Sequence, residues 1–108
     1  MLLSELARAD TGAQHITQDP KIVGLTADSR TVKPGYLFAA LQGTQSDGRD
    51  FIKEALSRGA AAILAPTGTR LPAAAKKIPM INVDNPRRSL ALFASRYFGR
   101  QPRIAAAV

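Results

Sequence analysis

Residues 25–52, LTADSRTVKPGYLFAALQGTQSDGRDFI, decide the fold. The stretch opens as the end of a strand and runs into the polar tripeptide Asp28-Ser29-Arg30. Lys33-Pro34-Gly35-Tyr36 follows as a turn, because Pro presets φ and Gly accepts φ > 0 at the next position. Residues 36–41, YLFAAL, are an unbroken apolar run of strand length, which is how a strand buried on both faces reads. A second polar cluster, Thr44-Gln45-Ser46-Asp47-Gly48, comes next, and then a helix. Each polar cluster thus sits at the carboxyl end of a strand, where an open α/β sheet keeps its ligand site.

The helix start is written in the sequence. Asp47 can cap it, and Asp50 lies in the first turn, where a carboxylate suits the helix dipole. Phe51, Ile52, Ala55 and Leu56 form one apolar face at helical spacing. Gly59 ends the helix by going left-handed. Residues 60–65, AAAILA, read as a strand and complete a β-α-β unit, a unit that is parallel and right-handed in nearly all proteins.

Outward from this centre, residues 2–8 read as a short helix with Leu2, Leu3 and Leu6 inward. Residues 21–27, KIVGLTA, read as a strand after a polar stretch. Residues 66–78 read as an exposed Pro/Gly/Ala/Lys loop, and 79–83 as a short strand. Asn85 caps the last helix and Pro86 takes its first position. Leu90, Phe93, Ala94, Tyr97 and Phe98 recur at i, i+3, i+4, i+7 and i+8, a core-facing stripe, and Gly99 stops it. The expected fold is α/β: a small mixed or parallel sheet flanked by helices, β-β-α-β-β-α after a short helix. Residues 103–108, RIAAAV, look like the start of another strand and point to a longer parent protein.

Composition excludes several classes. At 108 residues the chain is one domain's worth, and with 45% hydrophobic residues it can bury a small core. It has no cysteine, so neither a disulfide nor a thiolate metal framework is possible, in keeping with a reducing compartment. His15 is the only histidine, which rules out a multi-histidine metal site. No apolar run approaches the ~20 residues needed to span a bilayer, and MLLSELARAD is too short in apolar residues for a signal peptide. The net charge of +7 is unevenly placed. Residues 1–52 carry five basic and six acidic residues, and residues 53–108 carry ten basic and two acidic ones. A basic half is what an anionic partner would meet, or simply a solvated face.

The chemistry of catalysis is missing. There is no nucleophile-base-orienter set, no G-x-S-x-G and no G-x-x-x-x-G-K-[ST] loop. No catalytic or metal-ligating residue is expected. Gly43 to Gly48 is bounded by glycines and precedes a helix, but it lacks the lysine that would reach a β- or γ-phosphate. Asp47 would repel a phosphate lying on the helix N-terminus. The loop is suited to hydrogen-bonding a base, ribose or sugar through Thr44, Gln45, Ser46 and the main chain, or it is an ordinary capped loop. Ser29 can donate to a diphosphate or sugar oxygen. Its neighbours Asp28 and Arg30 point the other way if strand geometry persists, and would then pair with loop groups.

One combination of motifs goes further. Asp28-Ser29-Arg30, then Pro34-Gly35-x-Leu37-Phe38-x-Ala40-Leu41, Gly43, Asp47-Gly48-Arg49-x-Phe51-Ile52, Ala55 and Gly59-Ala60, resembles the N-terminal domain of the Mur ligases. These are the cytoplasmic ATP-dependent ligases that build the peptidoglycan stem peptide. The likeness resumes at Val83-x-Asn85-x-Arg87. The tail Arg96-Tyr97-Phe98-Gly99-x-Gln101-Pro102 looks like the type that adds the third amino acid, the MurE type, rather than the D-Ala-D-Ala-adding type. The resemblance implies that residues 1–102 bind the UDP part of UDP-N-acetylmuramoyl-dipeptide. Residues 103–108 would begin the first strand of an ATP-binding central domain, followed in the parent by a C-terminal domain. It implies substrate contacts at Ala27 (through its backbone), Ser29, Thr44, Gln45 and Ser46. It implies ATP and magnesium for the full-length ligase but no cofactor in this segment, and neither membrane nor nucleic acid as partner. The rival from another class is a small basic nucleic-acid-binding module. Against it stand the expected inward direction of Phe93, Tyr97 and Phe98 and the lack of RNP, KH or zinc patterns.

Overall fold

The computed structural model describes residues 2–7, 19–41, 48–71 and 78–99. Four strands, β1 (Gly24–Thr26), β2 (Tyr36–Ala39), β3 (Ala62–Pro66) and β4 (Met80–Val83), lie in one sheet in the order β1-β2-β3-β4. All three pairings are parallel, with Leu25 beside Leu37, Phe38 beside Ile63, and Leu64 beside Ile81. The expected sheet is therefore present, and parallel throughout.

Both faces of the sheet are covered, and side-chain alternation sorts the apolar runs between them. Leu37, Ala39, Ala62, Leu64, Ile81 and Val83 point to one side. There they meet Leu3 and Leu6 of α1 (Leu3–Ala7), Ile22, and Phe93 of α3 (Pro86–Gly99). Phe38, Ala40, Ile63 and Ala65 point to the other, against Val32 and against Ile52 and Ala55 of α2 (Ile52–Ser57). Burial on both sides is why YLFAA and AILA carry no polar alternation.

The turns follow the sequence. The Tyr36 N–H donates to the Lys33 carbonyl at 3.0 Å, and Gly35 and Gly59 take φ of +90° and +100°. The Gly35 N–H donates to the Gly59 carbonyl at 3.1 Å, joining the turn before β2 to the end of α2. Asn85 caps α3: its Oδ1 accepts the Arg88 N–H at 3.1 Å.

Several expectations need correcting. Helix α2 begins at Ile52, after a 3₁₀ turn over Gly48–Phe51, and its cap residue Phe51 makes no side-chain capping bond. The Asp47 cap, like His15 and the strand over 103–108, lies outside the described residues. Phe51 was expected on the core face but is 39% exposed, because the 3₁₀ turn does not continue the spacing of the α-helix. Leu2 is also exposed; it bridges to Lys21 just before α1 starts. Phe98 is 61% exposed, with its ring edge-on to that of Tyr97 at 5.1 Å. The argument that Phe98 faces the core therefore fails, although Phe93 is fully buried and Tyr97 partly so. The 66–78 loop is not wholly exposed either. Pro66 ends β3, and Leu71 and Ile78 pack on the α2-side core.

Candidate functional site

The tripeptide after β1 folds into a 3₁₀ turn, Ser29–Thr31. Asp28 caps it, its Oδ1 accepting the Arg30 N–H at 2.9 Å. Two threonines fix the base. Thr26 Oγ1 accepts the Asp28 N–H at 3.0 Å and lies 2.6 Å from Thr31 Oγ1. Thr31 Oγ1 donates to the Asp28 carbonyl at 2.9 Å. Val32, buried, anchors the far end.

The 3₁₀ turn ends the strand alternation. Ala27, Asp28, Ser29 and Arg30 all line one open cleft of about 570 Å³, together with Phe51 and Glu54. Arg30 pairs with Asp28 itself, Nε to Oδ1 at 3.1 Å and Nη2 to Oδ2 at 3.0 Å. This fork is largely exposed and contributes orientation more than stability.

Ser29 is 6% exposed, and its hydroxyl donates to Glu54 Oε1 at 2.8 Å. The other carboxylate oxygen of Glu54 accepts from Arg58, Nη2 at 3.1 Å and Nε at 3.3 Å. The Ser29 hydroxyl, and then the Arg58 guanidinium, hold the Glu54 carboxyl below its ordinary value. The Arg30 side chain and then its backbone N–H do the same for Asp28. Each carboxylate in the cleft is thus kept ionised and paired with an arginine.

Of the five residues expected to touch ligand, the structure brings Ala27 and Ser29 into one cleft. Thr44, Gln45 and Ser46 lie outside the described residues. The two ends of their loop meet, however: the Gly48 N–H donates to the Leu41 carbonyl at 2.7 Å. An added Cβ at Gly48 would lie 2.5 Å from Leu41 N, so only glycine permits the approach. Gly48 then starts the 3₁₀ turn that carries Phe51 to the cleft wall. Phe51 and Glu54 were not expected in the site. Their i, i+3 spacing was the available signal, obscured because Phe51 read as core.

Two further clefts lie at the carboxyl ends of β3 and β4. One, about 410 Å³, includes Thr67, Asn82, Asp84, Asn85 and Arg88. The other, about 670 Å³, includes Asp50, Lys53, Thr69 and Arg70. Among the described residues no group of three or more His, Cys, Asp or Glu could hold a metal ion, and no helix is long and apolar enough to cross a membrane.

The family model described as Mur ligase family, catalytic domain, matches residues 21–98. The chain belongs to the Mur ligase family. Similar curated proteins carry the name UDP-N-acetylmuramoyl-L-alanyl-D-glutamate--2,6-diaminopimelate ligase. The protein of that name from Caulobacter vibrioides is 49% identical over 90 residues, covering 83% of this chain and 18% of the relative. The one from Brucella melitensis is 42% identical over 107 residues, covering 99% of this chain and 20% of the relative. The chain therefore spans about a fifth of the length of these relatives. Among solved structures, MurF from Acinetobacter baumannii superposes with a TM-score of 0.66 over 90% of this chain and 21% of its own, at 22% identity, a likeness of fold. MurF from Thermotoga maritima, in complex with ADP, gives 0.55 over 74% of this chain and 17% of its own, at 32% identity. The Mur ligase N-terminal domain read from the motifs is thus borne out, and the relatives' names favour the MurE type over the D-Ala-D-Ala-adding type.

Proposed function

We propose that this domain anchors the UDP end of UDP-N-acetylmuramoyl-dipeptide in a cytoplasmic, ATP-dependent ligase that adds the third residue of the peptidoglycan stem peptide. The relatives' names specify 2,6-diaminopimelate, which supports it as that residue. The observation that carries the reading is the cleft after β1. Ala27 and Ser29 share it, and the pinned base of the 42–47 loop feeds directly into its Phe51–Glu54 wall. In this reading Thr44, Gln45 and Ser46 complete the site from that loop, and the central and C-terminal domains of the parent chain are the domain's other partners.

The domain's part in the reaction is binding. In this reading ATP and magnesium, which the family implies for the whole ligase, are held by its other domains. The sequence of this chain has no lysine-bearing phosphate loop. Holding the remote end of the substrate fixes the position of a carboxylate that reacts elsewhere. Binding energy far from the chemistry is then converted into proximity.

The test is a titration of the isotopically labelled 108-residue chain with UDP, followed by NMR. Binding on the order of 0.1–1 mM or weaker is expected when only the UDP end is held. Shifts at Ala27, Ser29 and residues 43–48 support the reading. No shift at millimolar UDP, or shifts confined to the basic 70–103 region, overturns it. Salt-sensitive binding of random RNA would instead favour a nucleic-acid module.

A further inference from the structure

We propose that Glu54 is a positioning residue that turns Ser29 into a hydrogen-bond acceptor, so that this cleft receives a donor group of the uridine, a ribose hydroxyl or the base N–H, and not the diphosphate. The inference rests on the UDP-anchoring reading and narrows it.

A serine hydroxyl has one proton to donate and two lone pairs to accept with. In this structure the proton is given to Glu54 Oε1 at 2.8 Å. That bond is charge-assisted, and Arg58 holds Glu54 in place through its other oxygen. Retracting the proton to serve a phosphate oxygen would leave the carboxylate short of a partner beside a second anion. Polarised by the carboxylate, the Ser29 oxygen becomes a better acceptor, since hydrogen bonds in a chain strengthen one another. What reaches it from the cleft must bring its own proton. A nucleoside has such groups, and an ionised diphosphate has none.

The charges of the cleft agree. Among the described residues, two carboxylates, Asp28 and Glu54, stand on its wall, and Arg30 there is already forked onto Asp28. Lys53 and Arg70 line a different cleft, together with Asp50. A diphosphate leaving the uridine pocket therefore finds its cations outside that pocket, while a neutral nucleoside lies among the paired carboxylates without penalty.

The experiment compares uridine with UDP on the 108-residue chain and on the variants Ser29→Ala, Glu54→Leu and Glu54→Gln, with amide dispersion confirming that each is folded. Ser29→Ala should weaken uridine and UDP by the same factor, about 3- to 10-fold, the worth of one hydrogen bond. Glu54→Leu should do likewise, and adding Ser29→Ala to it should cost nothing more, because both remove one coupled unit. Glu54→Gln keeps an acceptor for the Ser29 proton and should restore uridine binding to within about 2-fold of the parent chain. A loss on Ser29→Ala seen with UDP but not with uridine overturns the proposal, because the hydroxyl would then face the diphosphate. So does uridine binding untouched by Glu54→Leu, or additive losses in the double variant. If neither ligand moves any resonance of residues 27–30 in the parent chain, the anchoring reading falls, and this inference with it.

Discussion

Replacing Gly48 by alanine should destabilise the fold and separate Gly48 from Leu41, the two residues that flank the 42–47 stretch. The added Cβ would sit 2.5 Å from Leu41 N, 2.6 Å from Leu41 O and 2.9 Å from Ala40 C. These three nearest atoms are all backbone, so relief cannot come from a side chain swinging aside. Retreat of the other partner is blocked too, since the Ala40 N–H is bound to the Leu64 carbonyl of β3 at 2.7 Å. Relief requires Gly48 to withdraw by about 1 Å, which breaks its 2.7 Å hydrogen bond to Leu41. That bond is worth about 1 kcal/mol, and overpacking against rigid backbone costs a further 1–2 kcal/mol or so. A total of about 2–3 kcal/mol corresponds to a fall in melting temperature of roughly 10–20 °C for a domain of this size. Thermal unfolding followed by circular dichroism measures it. Gly99→Ala is the control: a Cβ there meets nothing within 4 Å, at a helix end, so the melting temperature should hold or rise slightly. A Gly48→Ala melting temperature within about 3 °C of the parent chain would refute the claim that the close approach of Gly48 to Leu41 is fixed in the fold.

The other expectations concern the last helix and the charged cleft. Asn85→Ala removes the side-chain acceptor of the Arg88 N–H and should cost about 1 kcal/mol in urea unfolding, whereas Asn85→Asp should cost almost nothing; equal losses for both would mean that Asn85 does not act as a cap. Asp28 and Glu54 both titrate below their ordinary values of 3.8 and 4.5. Their contribution to stability is therefore complete above those values and is lost as the pH falls through the lower, folded-state ones. The urea midpoint should drop below about pH 4.5, and less steeply in an Asp28→Asn, Glu54→Gln double variant; an equally steep drop in that variant would assign the acid sensitivity to other groups.

Much of this fold could be read locally. Unbroken apolar runs of strand length, a Pro-Gly turn, a terminating glycine and an Asn-Pro helix start are signals confined to a few neighbouring residues. They placed β2, β3, the turn before β2, the end of α2 and the cap of α3 correctly. The failures share a cause. Phe51, Leu2 and Phe98 were assigned to the core by spacing, but spacing gives a direction only while one helix geometry continues and something lies opposite. Phe51 sits on a 3₁₀ turn, Leu2 precedes its helix, and Phe98 lies in the last turn of α3.

For the site, the sequence by itself determined that Asp28-Ser29-Arg30 follows a strand and that a glycine-bounded polar loop follows the next one. The motifs also carried the family. Only the tertiary structure decided which way the Ser29 hydroxyl donates. Its partner Glu54 lies 25 positions further along the chain, and it meets Ser29 only because α2 packs over the sheet beside the 3₁₀ turn. A hydrogen bond between remote residues depends on the packing of whole elements, and that is information no local pattern contains.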